Sequence, residues 1–268
     1  MIRVGIATIG LVAPGIESWE QGRMLLSQGV AYDPAAEMPP LKPALLPANE
    51  RRRTTAHIRL ALQAAQDALD AWQGDTEQLA TVFSSSGGDL EVVDRILTSI
   101  NQPGSPVSPT HFHNSVHNAP AGYWSIATGS HAPSTSLSAY DASFSAGLLE
   151  AATQVSVDGQ PVLLVAYDMP PPEALRPFCP TTAAFGVALL LIPEAAEAEP
   201  LCWIGMDLQA GDDRGCEGMD DKGLEALRSG VAAGRGLPLL EHIARGLSGP
   251  LRLPAQPGQI LHLDVTVC

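Results

Sequence analysis

The sequence predicts an α/β fold in which helices cover a largely buried, parallel or mixed sheet. Two wholly apolar runs, 161–167 (PVLLVAY) and 183–193 (AAFGVALLLIP), have strand length and no polar face, as strands covered on both sides do. Such runs alternate with segments whose apolar residues recur at helical spacing, the pattern of a layered α/β protein. The 25 glycines and 23 prolines indicate many tight connections between these elements.

In chain order, residues 2–12 (IRVGIATIGLV) read as a strand closed by a Pro-Gly turn, 17–29 as a helix, and the Pro-rich stretch 33–49 as a surface loop. Asn49 is a plausible N-cap for a helix running to about residue 72, with Ile58, Ala61, Leu62, Ala65, Ala68 and Leu69 on one face. Residues 80–85 read as a strand, 86–88 as a turn, 89–101 as a helix and 103–110 as a Pro-rich loop. A helix over 114–128, a short strand over 134–139 and a small-residue helix over 142–156 follow. Beyond the apolar strands, 201–208 and the alternating 259–267 (QILHLDVTV) read as strands, and 221–233 and 239–247 as helices. The acidic-Ala stretch 194–200 is the best internal boundary, and no repeat is present.

A net charge of −14 argues against nucleic acid or an anionic membrane as the main partner, since both are polyanions. Arg51, Arg52 and Arg53 form the one basic run, and 212–221 the one acidic loop. The opening segment reads as a buried strand and turn rather than a secretory signal, and no apolar run is long enough to span a bilayer. The four cysteines, Cys179, Cys202, Cys216 and Cys268, form no C-x-x-C pair, so free thiols and a cytoplasmic setting are expected.

The chemistry concentrates in residues 107–152. There a helix, a loop, a short strand, a tight turn and a second helix succeed one another. A turn from strand into helix holds one side chain at the positive end of the helix dipole, with backbone N–H groups nearby. This geometry serves a nucleophile and an oxyanion.

Val107-Ser108-Pro109, Asn118, Ala121-Gly122, Gly129 and Pro133 follow one another in this segment. Their order and intervals resemble the V-S-P, Asn, A-G and G-x-x-x-P pattern of the β-ketoacyl synthases. Continued without a gap, its T-A-C-x-S elbow falls on residues 139–143, with the cysteine at Asp141 and the small hydroxyl residue at Ser143. Residues 4–14 resemble the family's opening strand and turn, Arg52-Arg53 with RLALQAAQDAL its second helix, 84–88 its S/T-x-x-G-G turn, and Arg176-Pro177-Phe178 with AFGVALLL its later strand. The resemblance covers about residues 2–193. It implies a thiolase-like layered αβαβα fold over 1–268 as a single domain, with 1–195 like the synthase's first half and 196–268 a shortened second half.

Two departures shape the functional expectation. The elbow lacks a thiol, and a carboxylate cannot serve as a thioester acceptor; none of the four cysteines falls near it in sequence. The family's H-G-T-G-T and N-x-F-G-F-G-G histidine motifs are absent after residue 195; His242 sits in an expected helix and His262 in an expected strand. The resemblance therefore implies no catalytic residue of the chain's own. It implies a chain-length-factor-like subunit, as in aryl polyene or xanthomonadin-type pathways, paired as a heterodimer with an active ketosynthase and served by an acyl carrier protein. His111, Phe112, His113, His117, Asn118, Ser134, Ser136, Ser138, Tyr140 and Phe144 would form the partner interface or tunnel, and Arg51, Arg52 and Arg53 would contact the carrier. The enzyme alternative is a degenerate synthase that decarboxylates malonyl-carrier protein or transfers acyl groups through Ser138 or Ser143.

The remaining features read more plainly. The spacing of His111, His113, His117 and His131 lacks Cys or a nearby carboxylate, so hydrogen-bonded histidines are favoured over metal, and no cofactor is expected. Asp141 is read as a helix cap rather than a general base. The loop GDDRGCEGMDD lacks the spacing of a calcium loop, and the 84–88 turn lacks a phosphate-loop Gly-Lys.

Overall fold

The computed structural model describes residues 1–102 and 104–268. Pro103, in the expected Pro-rich loop, lies outside the described residues. One eight-stranded sheet organises the chain: β1 (Ile2–Val12), β2 (Ala80–Ser84), β3 (Ser134–Leu137), β4 (Val162–Asp168), β5 (Phe185–Ile192), β6 (Cys202–Ala210), β7 (Gly249–Pro254) and β8 (Gln259–Val267). The spatial order is β3-β2-β4-β5-β1-β6-β8-β7. Strands β3, β2 and β4 run parallel, and every other neighbouring pair is antiparallel.

Every residue of β4 and β5 is buried, because helices pack on both sheet faces. On one face lie α1 (Trp19–Gln28), α7 (Ser143–Asp158), α8 (Lys222–Gly230) and α9 (Leu237–Arg245), around Phe144, Leu148, Leu227 and Leu240. On the other lie α3 (Ala56–Leu69) and α6 (Ala119–Thr128), around Ile58, Leu62, Tyr123 and Trp124. The layered α/β class is the one the sequence implies. Strands β6, β8 and β7, all after residue 195, extend the sheet beyond β1.

The local differences from expectation have local causes. Asn49 does not cap the long helix: it lies inside a single turn, α2 (Ala48–Arg51), and α3 starts only after Thr55, whose hydroxyl accepts from the Ile58 N–H. The helix expected over 114–128 forms only from Ala119, as α6, with Asn118 before it; a short helix, α5 (Pro109–Asn114), capped by Ser108, begins inside the expected 103–110 loop. Strand β7 (GPLRLP) falls in a span to which the sequence pattern assigns no element; it is an edge strand, where the N–H that proline lacks is tolerated. The loop 212–221 is polar, with Asp212 capping a single turn and Asp221 capping α8. No helix among the described residues is long and apolar enough to cross a membrane.

Helix α3 lies close against β1 at Gly10. A Cβ placed on Gly10 would lie 2.0 Å from the Ala64 carbonyl oxygen and 2.6 Å from the Ala68 nitrogen. Both are helix backbone atoms that cannot swing aside. Gly10→Ala is therefore expected to destabilise the fold by about 1–3 kcal/mol, read as a lowered thermal midpoint; an unchanged midpoint would show that α3 has room to retreat.

Candidate functional site: the elbow and its buried polar network

The carboxyl ends of the three parallel strands converge, the usual location of ligand sites in open α/β sheets. From β2 the chain enters the turn 85–88; from β3 it passes residues 138–142 into α7; β4 ends on Asp168. The β3–α7 connection is the expected elbow. Its apex is Tyr140, whose φ of 50° makes it the one non-glycine residue with positive φ among the described residues. A bulky side chain rarely occupies that region, at a cost of about 1–3 kcal/mol. Tyr140 is 86% exposed. Asp141, the motif-counted cysteine position, follows it on the surface and caps no helix: Ala142 precedes α7, which has no side-chain cap.

The elbow is held from inside. The Ser143 hydroxyl donates to the Tyr140 carbonyl (2.6 Å) and accepts from the Ala139 N–H (3.0 Å). The Ser84 hydroxyl donates to the Ser143 carbonyl (2.7 Å), and the Ser138 hydroxyl to the Ser86 carbonyl (2.8 Å). Ser143 is 1% exposed with its hydroxyl engaged twice, which leaves it no access to a substrate. Ser138 is exposed, but its bonded partner is a carbonyl and not a base.

Beneath the elbow lies a network that the motifs did not reveal. Asp168 Oδ1 accepts from the Ser86 N–H (2.8 Å), the Ser86 hydroxyl (2.7 Å) and the Ser85 hydroxyl (3.2 Å), and Oδ2 accepts from the Ala233 N–H (3.0 Å). Burial raises its pKa, and these four donors oppose the rise by favouring the anion. His57 Nε2 lies 3.4 Å from the Ser85 hydroxyl, and its ring packs on Tyr167 at 4.8 Å between centroids. Burial pulls the His57 pKa down to about 4; nearby Asp89 opposes that, and His117 adds to it. His117 Nε2 lies 3.2 Å from the Ser85 carbonyl oxygen. His57 was legible as a histidine on the apolar stripe of its helix, and Asp168 as an acid ending an apolar strand; neither belongs to a motif.

Two clefts flank Tyr140 and Asp141. One, of about 210 Å³, is walled by the 86–88 turn, Asp168, Phe178, Cys179 and Arg235. The other, of about 810 Å³, lies toward 212–214 and 255–258. Cys179 corrects the sequence view that no cysteine is near the elbow: it arrives from the segment after β4, remote in sequence but in the same cleft. No histidine lines that cleft among the described residues, so no imidazole base faces the thiol. His242 is turned onto the Pro238 carbonyl in α9 (3.1 Å), and His262 sits in β8.

The expected interface residues separate into distinct settings. Phe112, His113 and Asn118 are exposed, as are Ser134 and Ser138; Ser136 and His117 are half-buried. Phe144, expected at the interface or tunnel, is 0% exposed and packs in the chain's own core. His111 lines a separate basic cleft, and His113 meets Tyr123 edge-on at 6.0 Å. The histidines thus diverge, and the described residues hold no group of three His, Cys, Asp or Glu side chains suited to a metal. Of the expected carrier contacts, Arg52 and Arg53 are exposed, whereas Arg51 is half-buried and donates to the Leu46 carbonyl (2.9 Å).

Two outcomes follow from the network. Asp168→Ala leaves several buried donors unpaired and is expected to cost about 3 kcal/mol or more, measured by denaturant unfolding; a loss below 1 kcal/mol would mean that water replaces the carboxylate. For His57, the folded pKa lies below the unfolded value, so the unfolded chain binds the extra proton between about pH 6.5 and 4, and stability falls as pH drops through that window. Asp168, with its raised pKa, works in the opposite sense, so the comparison is with His57→Gln: the wild type should lose about 1–3 kcal/mol more than this variant between pH 7 and 4.5. Parallel pH profiles would remove His57 as the cause.

The comparisons agree with this geometry. The family model of the β-ketoacyl synthase N-terminal domain matches residues 19–230. No curated protein sequence matches. Among solved structures, the chain resembles the ketosynthase ApeO in complex with its chain length factor ApeC from Xenorhabdus doucetiae, with 25% identity and a TM-score of 0.73 over 98% of this chain and 100% of that one. It also resembles the ishigamide ketosynthase/chain length factor, at 15% identity and a TM-score of 0.77 over 100% and 99% of the two chains. A third likeness is to AntDE:AntF, a type II PKS acyl-carrier protein in complex with its ketosynthase bound to the hexaketide, at 13% identity and a TM-score of 0.76 over 99% of each chain. The last two likenesses concern the fold alone. With the family pattern spanning most of its length and the synthase-like elbow formed in space, the chain belongs to the β-ketoacyl synthase family.

Proposed function

We propose that this chain is a non-catalytic, chain-length-factor-like subunit that pairs with an active ketosynthase and helps shape its acyl tunnel during carrier-protein-bound polyketide or polyene elongation. The observation that carries the reading is the elbow itself. In a synthase-like fold, the turn that should carry a thiol at Asp141 carries a carboxylate, next to the exposed ring of Tyr140 at the strained apex. The buried, doubly bonded hydroxyl of Ser143 argues against the enzyme alternative, as does the absence of a histidine from the cleft at Cys179 among the described residues.

The surface around the elbow supports a protein partner. Strand β3 ends the sheet, with one side open to a further strand or subunit. Helix α4 (Leu90–Asn101) carries apolar residues at helical spacing, yet only Val92 is buried; Leu97 is 48% and Ile100 64% exposed. On the neighbouring α5 segment, Phe112 is 69% and Val116 50% exposed. The 85–88 turn links the two sides, touching His117 after α5 and Ser138 after β3. A patch of this kind marks an interaction surface. Arg52 and Arg53 are the remaining contacts for an acidic carrier protein. The aryl polyene assignment and a cytoplasmic setting belong to the same proposal, with residues 1–268 acting as one synthase-like unit.

The test is co-expression with an intact ketosynthase, size exclusion, and mass spectrometry after incubation with malonyl- and acyl-carrier protein. The expected result is co-elution, loss of co-elution for Leu97→Glu with Ile100→Glu, and no acyl adduct on this chain. An adduct at any of its residues, Cys179 included, would overturn the non-catalytic reading; elution apart from the synthase would overturn the partner reading.

A further inference from the structure

A second built cleft, of about 290 Å³, lies away from the elbow clefts, where the N-terminus of α3 meets α4 and α5. Arg52, Arg53, Arg59 and Arg95 line it, opposed on its walls by the single carboxylate of Glu91. The concentration is unusual: the chain has 15 Lys and Arg residues against 29 Asp and Glu. Arg95 is paired with Glu91, and Arg53 reaches Glu50 at 3.7 Å. Arg52 and Arg59 form no ion pair among the described residues. Arg59 is half-buried, held by one long bond to the Thr54 carbonyl (3.4 Å), and its Nε is buried with no partner.

Neutral donors converge on the same place. Thr55 caps α3 by accepting from the Ile58 N–H (3.2 Å), and the N–H groups of Ala56 and His57 donate to no group among the described residues. Ala56 and Thr110 line the cleft, and Asn114 closes its floor by donating to the Arg53 carbonyl (2.7 Å). A helix of 14 residues thus directs its positive end into a cavity already lined by four guanidinium groups.

We propose that this cleft is a phosphoryl-anion site, occupied by a phosphate ester or by free phosphate. The donors approach from α3, from α4 and from the 52–55 segment. A tetrahedral anion with three accepting oxygens and close to two negative charges satisfies that arrangement better than a planar, singly charged carboxylate. Forked guanidinium groups are well suited to phosphate, and here one of them is positioned with unspent donors. The site shares Arg52 and Arg53 with the proposed carrier contact, but its donors all come from this chain, so anion binding can be read without the ketosynthase.

The test titrates the full chain with inorganic phosphate, pantetheine 4′-phosphate and acetate by calorimetry at constant ionic strength. Phosphate should bind saturably and about tenfold or more tighter than acetate. Arg52→Ala and Arg59→Gln should each weaken it about tenfold, with thermal melting used to establish that each variant is folded. Arg52 is exposed, so its variant keeps the test decisive if Arg59→Gln fails to fold. Tighter binding of pantetheine 4′-phosphate than of inorganic phosphate would assign the anion to an arm-borne ester, and equal binding to the phosphoryl group alone; either result supports the site. Phosphate no tighter than acetate, or unaffected by Arg52→Ala, would overturn it, and neither result bears on co-elution with a ketosynthase.

Discussion

The buried carboxylate of Asp168 is the interaction on which the elbow region depends. It ends β4, receives the Ser86 N–H and two serine hydroxyls from the turn after β2, and takes the Ala233 N–H from the segment between α8 and α9. Three parts of the chain far apart in sequence thus meet on two oxygen atoms. Burying a charge is costly unless it is fully hydrogen-bonded, so each donor constrains the others. Because the 86–88 turn also receives the Ser138 hydroxyl, the network sets the position of the elbow above it.

That rigidity explains how the elbow can keep an unfavourable apex. Tyr140 stays at positive φ because Ser143 ties the turn to α7 and Ser84 ties α7 to β2. The result holds an aromatic ring in solvent just after β3, the edge strand of the sheet, while α4 leaves Leu97 and Ile100 exposed. Apolar groups in these numbers are stabilised by burial, and this chain provides none for them. The uneven charge has the same local character: the acidic chain gathers guanidinium groups at the start of α3, where the helix dipole already favours anions.

Much of the frame was legible from pattern. The continuous apolar runs of β4 and β5 could only be strands covered on both faces, and the small-residue run after β3 could only pack as a helix close against the sheet; Gly147 approaches Leu164 and Ser84 there. The misread boundaries share one cause. Asn49 and Thr55 are both good caps, and the choice fell to Thr55 because the chain between them winds only one turn before redirecting. Strand β7, in a span to which the sequence pattern assigns no element, holds prolines that its edge position accommodates. The elbow apex fell on Tyr140 rather than Asp141 because residue counting carries no information on where the backbone reverses.

The sequence by itself determined the layered α/β class, the synthase-like order of motifs and the missing elbow thiol, since these depend on residue type and spacing along one dimension. Tertiary structure alone decided which groups meet. It joined His57, Ser85 and Asp168 into one network, brought Cys179 and Tyr140 to one cleft, placed Phe144 in the core and Arg51 on a carbonyl, and gathered Arg59 and Arg95 with Arg52. Those contacts bridge long sequence separations. They follow from strand order and helix packing, which local propensity does not encode, whereas burial and hydrogen-bond satisfaction act on the folded chain as a whole.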